Sequence, residues 1–259
     1  MGRRTLHIDF HAHTLNSDGG DSMLTMVRQA YKVGLGAFVV TNHDRPGAAF
    51  ASDYTELRTL NQSLGLGDSL PLPVVIGAEI LTPFGEFLMF GTRAVENWYM
   101  YRDGLSRLRK DFNDTFWVET FEKYVLHRNS YSMWCGHSIV TYGEELPYAL
   151  IMCHPRMHVN YLQSMPARFF DLLHGFEIEN HEDFESTNPD VVRFLREHVE
   201  GGRELRNSDA HSAEPLGSRS NEISDFPQYE FGEDEPDYEA HLITWLRGTR
   251  HKPLLPQTS

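Results

Sequence analysis

Cysteine is nearly missing from this chain. Cys135 and Cys153 are the only two, too few for a disulfide framework and without the paired spacing of a zinc ribbon; both read as small buried residues. No apolar run approaches the roughly 20 residues of a membrane-spanning helix, so a soluble chain is expected. Arg3 and Arg4 run straight into the strand-like LHIDFHAH, which leaves no room for the apolar core of a signal peptide. Leu6 stands where the myristoylation pattern needs Ser or Thr. The cytoplasm is the expected compartment. Cations are also scarce: 23 Lys and Arg face 37 Asp and Glu, a formal net charge of −14. That balance opposes the basic groove a long nucleic acid requires, although bound divalent cations would make a site locally positive whatever the surface carries.

What is present suits one large α/β domain spanning residues 1–259. Apolar, β-branched runs bounded by turn residues predict seven strands, at Leu6–Phe10, Ala37–Thr41, Val74–Ile80, Phe87–Phe90, Ala149–Cys153, Phe176–Ile178 and Leu205–Asn207. Helical patterns lie between or after them at Ser22–Val33, Ser52–Leu64, Asp190–Val199 and Tyr238–Leu246. Such alternation points to a parallel sheet, open or closed into a barrel. From Thr92 to Leu146 it lapses into an insertion rich in aromatics and charges, helical in its first half. This insertion suits a lid or wall over a site, or an extra packing layer, equally well. The acidic stretch Asp225–Glu239 reads as a solvated loop.

Chemistry concentrates where these strands end. His11 and His13 follow the first strand two residues apart, so in extended chain both imidazoles project from one face towards a shared ion. The second strand ends in TNHD with His43, the third in GAEI with Glu79, the fifth in MCHPR with His154, and the seventh in NSDAH with Asp209 and His211. Histidine with carboxylate is the usual donor set for a divalent metal, and barrel active sites assemble at the C-terminal ends of strands.

These motifs, H-x-H, N-H-D, G-x-E, C-H-P and S-D-A-H in that order, resemble the PHP (polymerase and histidinol phosphatase) superfamily, from Leu6 to about Phe226 with the insertion as the main gap. The resemblance implies a distorted (β/α)7, TIM-like barrel carrying two or three divalent ions (zinc, manganese or iron) in a phosphoesterase site. It implies that His11, His13 and Asp209 bind one ion, that Glu79 bridges to a second served by His154, and that Asp18, His43 and His211 hold a third. Asp44 would orient His43 or stabilise its turn. One departure stands out: Leu88 occupies the place where many members have a further histidine, so that either His127, His137, His158 or His181 completes the second ion or that ion is weakly held.

A metal-held hydroxide would then be the nucleophile. His211, His181 or a water would supply the general acid, while Arg156, Arg45 and more weakly Arg219 are candidates to grip phosphate. Glu177 and Asn180 match the family pattern as supports or pocket lining. The expected reaction is hydrolysis of a small phosphomonoester such as a nucleotide, sugar phosphate or histidinol phosphate. The alternatives are a phosphodiesterase or 3′-exonuclease on short oligonucleotides, an amidohydrolase-type C–N hydrolase, or a metal-binding module without activity.

Overall fold

The computed structural model describes residues 4–43, most of 52–60, 72–129, 142–155, 159–180, 188–226 and 238–248. In chain order the elements are β1 (Arg4–Ile8), α1 (Met23–Lys32), β2 (Phe38–Val40), β3 (Val74–Ile76), β4 (Ala78–Thr82), β5 (Gly85–Phe90), α2 (Thr92–Asp111), α3 (Asp114–Phe121), a π-helical turn (Glu122–Leu126) and β6 (His127–Asn129). They continue with β7 (Tyr142–Glu145), β8 (Ala149–Met152), α4 (Val159–Gln163), α5 (Ala167–Asp171), β9 (Gly175–Asn180), α6 (Pro189–His198), β10 (Arg203–Asn207), β11 (Asn221–Phe226) and α7 (Tyr238–Arg247).

A five-stranded sheet in the order β10-β9-β8-β5-β4 forms the main wall, with β1-β11 and β2-β3 as separate pairs. The parallel sheet expected from the sequence is therefore a mixed one. Strands β4 and β5 are joined across Pro83 and Phe84 alone, and so short a link can join only antiparallel neighbours. Antiparallel pairing also holds for β5 with β8 and β1 with β11, whereas β8-β9, β9-β10 and β2-β3 are parallel. Among the described residues the strands do not close into a barrel through continuous ladders. Single links tie the pieces instead: Ala12 bridges Ala210, His43 bridges Glu79, and the Thr41 N–H donates to the Ala12 carbonyl (2.9 Å).

The expected strand Val74–Ile80 is two strands with different partners, β3 on β2 and β4 on β5, separated at Gly77. A β-carbon at Gly77 would sit 2.7 Å from the Phe90 ring, so only glycine fits the junction. Strand β11 was not anticipated; its sequence NEISDF alternates polar and apolar weakly beside the acidic run.

Alternation along the strands builds two apolar layers. Ile8, Val39, Val75, Leu88, Phe90, Ile151 and Leu205 share an inner layer with Leu242, Ile243 and Leu246 of α7. Phe38, Val40, Ile76, Phe87, Met89, Leu150, Met152 and Phe176 face outward under the helices. Burial on both faces explains why the strands read as continuous apolar runs, and each buried large side chain contributes about 1.5–3 kcal/mol.

Helix α1 starts where the Ser22 hydroxyl accepts from the Thr25 N–H (3.3 Å) and turns Met23, Met26, Val27 and Ala30 onto the core. That spacing is the buried stripe of an amphipathic helix. In the insertion, α2 and α3 bury Trp98, Leu105, Trp117, Val118 and Phe121 in the outer layer, with the Trp117 and Phe121 rings stacked at 5.1 Å. Its described first half is thus a helical packing layer. No described helix is long and apolar enough to cross a membrane.

Candidate metal centre

The ends of β1, β2, β4, β8 and β10 bring all eight proposed ligands together. His11 and His13, fully buried, leave β1 in extended chain. Their Nε2 atoms lie 3.2 and 3.1 Å from Asp209 Oδ1, and each lies 3.3 Å from Glu79 Oε2. His43 sets Nδ1 3.0 Å from Glu79 Oε2 and Nε2 3.1 Å from Asp18 Oδ2. His154 places Nε2 2.8 Å from Glu79 Oε1, and His211 Nε2 stands 3.4 Å from Asp18 Oδ1.

Donor atoms of His13, Asp18, His43 and His211 all lie within 4.8 Å of one another, as do those of His11, His13 and Glu79, and those of His11, His154 and Asp209. The Asp18, His43 and His211 trio expected from the sequence is thereby assembled, with His13 added. Among the described residues every ion pair of Glu79 and Asp209 is to a histidine. Imidazole rings crowd as closely as 4.3 Å between His13 and His211 and 4.6 Å between His13 and His43.

Tautomers make the case sharper. The His11 Nδ1–H donates to Glu177 Oε1 (2.9 Å), and the His211 Nδ1–H donates to the Asp209 carbonyl (3.0 Å). In the neutral rings both Nε2 lone pairs then face carboxylate oxygens, an arrangement that needs either protons or metal cations between them. Without a metal, burial works against charge on His11, but the surrounding Asp209, Glu177 and Glu79 carboxylates outweigh it and hold its pKa well above the ordinary value. On His13 burial prevails, aided by repulsion from His11, and the pKa falls. Burial opposes ionisation of Glu79 and Asp209, yet the adjacent His11 and His13 hold both carboxyls below the usual range. Imidazoles and ionised carboxylates gathered at this spacing are a fitting donor set for divalent ions, which would take the place of the protons.

Two carboxylates support this cluster from beneath. Glu177, fully buried on β9, accepts from His11 Nδ1, from the His154 backbone N–H (2.7 Å) and from Asn207 Nδ2 (2.7 Å). Asp9 accepts from the backbone N–H groups of His11 (3.3 Å), Ser208 (3.0 Å) and Gly217 (3.0 Å), and from the Ser208 hydroxyl. Its carboxyl is pushed up to about 6 by burial, against those hydrogen bonds. His154 and Asp209 have positive φ angles of 25° and 52°, conformations that cost most residues energy and that cluster at functional sites.

Of the other sequence candidates, Asn180 donates to Asp209 Oδ2 (3.1 Å). Arg219 pairs with Glu179 (3.2 Å) rather than with the cluster, and His127 faces Glu122 (3.7 Å). Leu88 is fully buried in the inner apolar layer, directly opposite Glu79 in the β4-β5 register. Asp44, Arg45, His137, Arg156, His158 and His181 lie outside the described residues. Sequence reasoning missed Asp9, Asn42, Asn207 and Glu86. Asp9 and Asn207 sit beside recognised motifs and carry no spacing of their own. Glu86 lies two residues before Leu88, on the same face of its strand, which was the available signal.

No protein-family model and no curated protein matches the chain. Solved structures similar to it include a candidate metal-dependent phosphoesterase from Bifidobacterium adolescentis, at 16% identity and TM-score 0.45 over 92% of this chain and 95% of that one. A two-domain protein from Bacteroides vulgatus, containing a predicted PHP-like metal-dependent phosphoesterase, aligns at 18% identity and TM-score 0.46 over 82% of this chain and 54% of its own. An amidohydrolase from Chromobacterium violaceum, with bound sulfate and no metal, aligns at 16% identity and TM-score 0.44 over 82% and 90%.

Proposed function

We propose that this chain is a metal-dependent phosphoesterase of the PHP type, a single distorted (β/α)7 barrel that hydrolyses a small phosphomonoester in the cytoplasm. One observation carries the reading: the buried Glu79 carboxylate is touched by four imidazoles, those of His11, His13, His43 and His154, and Asp18 and Asp209 flank that ring. His11, His13, Asp209 and Glu79 would hold one ion, His154 with Glu79 a second, and Asp18, His43 and His211 a third. Divalent ions held there would supply an activated water and neutralise charge building on phosphoryl oxygens.

The remaining work falls to the chain's own groups. Glu177 and the Asp209 carbonyl fix the tautomers of His11 and His211, so that Nε2 of each is aimed into the cluster. The His211 side chain is 28% exposed and borders solvent; with Nε2 on the third ion and Nδ1–H on the Asp209 carbonyl, it could supply the leaving oxygen's proton only in a centre that holds two ions. Arg156 is the candidate phosphate clamp and His181 the alternative acid. The −14 charge favours a small substrate over a long nucleic acid.

The test is metal content of the purified protein, paired with phosphate release from monoesters and diesters with and without chelator. Two or three equivalents of metal with chelator-sensitive release from monoesters supports the proposal. Cleavage of diesters alone replaces it with the phosphodiesterase reading, and absence of both metal and activity refutes it.

A further inference from the structure

The β4-β5 hairpin carries an oxygen donor that no motif announced. Leu88, at the position where the family resemblance implies a histidine, is committed to the inner apolar layer and is fully buried. One same-face step along β5 stands Glu86, nearer the turn because β5 runs antiparallel to β4. Its backbone is fastened by the Cys153 N–H, which donates to the Glu86 carbonyl (3.2 Å). Its carboxylate lies 3.5 Å from His154 Nδ1, and a donor atom of Glu86 is within 4.8 Å of donors from both Glu79 and His43. That 3.5 Å separation is too long for a good N–H···O hydrogen bond, and among the described residues the Glu86 carboxylate accepts none. Its side chain is 37% exposed, which leaves it room to swing.

We propose that Glu86, turned from His154 Nδ1 towards the Nε2 side where Glu79 sits, completes the donor set of the second ion with Glu79 and His154, in place of a histidine at position 88. The inference rests on the metal reading given above and adds a chemical consequence. Two carboxylates and one imidazole make this an oxygen-rich site that favours manganese or magnesium, whereas the neighbouring group of His13, His43, His211 and Asp18 is imidazole-rich and suits zinc. The centre therefore takes unlike metals at its two ends, and the second ion exchanges more readily.

Mn²⁺ binding by the full chain, counted by elemental analysis after gel filtration and followed by electron paramagnetic resonance titration, tests this in wild type, Glu86→Gln and Glu86→His. The expected result is one equivalent fewer in Glu86→Gln, or one ion weakened by more than about a hundredfold, beyond the range for outer-shell partners. Glu86→His regains that ion with its preference shifted towards zinc. Retention of every ion within about a hundredfold in Glu86→Gln overturns the inference, as does a Glu86→His variant with wild-type metal preference. A wild type that binds no metal sinks the metal reading itself, an outcome seen before any variant is compared.

Discussion

Asp53 offers a stability test separate from the metal chemistry. Its side chain is fully buried beside the centre, where Oδ1 accepts from Asn16 Nδ2 (2.8 Å) and Asn42 Nδ2 (2.7 Å), while Oδ2 has no hydrogen-bond partner among the described residues. Burial pushes this carboxyl from 3.8 up to about 7, aided by the nearby Glu56 charge and opposed by the two asparagines. Below about pH 4 the group is protonated in folded and unfolded chains alike. Between pH 4 and 7 the unfolded chain releases its proton and the folded chain keeps it, so stability falls as pH rises through that window and levels off above it.

About three pH units at 1.36 kcal/mol each come to roughly 4 kcal/mol. Asp53→Asn keeps an acceptor for both asparagines and cannot ionise. Its fixed cost is about 1–3 kcal/mol for a buried amide donor without a partner, the same at every pH. Urea unfolding of wild type and Asp53→Asn in EDTA, from pH 4 to 8, should show the stability of the variant relative to wild type rising by up to about 4 kcal/mol across the window. A difference that stays flat with pH would refute the reasoning. Groups common to both proteins, such as Asp9, cancel.

Glu177→Gln should weaken metal binding by about 10–100-fold by titration calorimetry, because Glu177 orients His11 and anchors the His154 backbone; unchanged affinity would remove it from the support of the site. Chelation should lower the thermal midpoint by about 10 °C, since an ion at a thousand times its Kd contributes about 4 kcal/mol; calorimetry showing no shift would argue against tightly held metal. Gly91→Ala should destabilise by more than about 2 kcal/mol, because Gly91 has φ 109° and a β-carbon there would lie 2.3 Å from the Pro147 carbonyl oxygen; denaturant melts at wild-type level would contradict that geometry.

The sequence made the chemistry more legible than the architecture. His11 and His13 were readable because a two-residue spacing in extended chain fixes their common face, and His43, Glu79, His154 and Asp209 because each follows an apolar run. Strand direction was not readable: an apolar run buried on both faces looks alike in parallel and antiparallel sheets, so the strand at Phe87–Phe90 was found but its reversal at Pro83–Phe84 was not. The same blindness hid Glu86, whose neighbourhood depends on that reversal. Asp9 and Asn207 escaped because their partners, Ser208 and Phe10, are 199 and 197 residues distant, and no local pattern records such pairing.

The backbone at His154 and Asp209 sets durability against chemistry. Each holds a left-handed conformation, φ 25° and 52°, that glycine would adopt with less strain. A lineage released from selection for activity would gain stability by substituting these two positions, and they would be among the first to drift. Retention of histidine at 154 and aspartate at 209 in distant descendants would therefore record continuing use of the site, a signature legible in sequences alone.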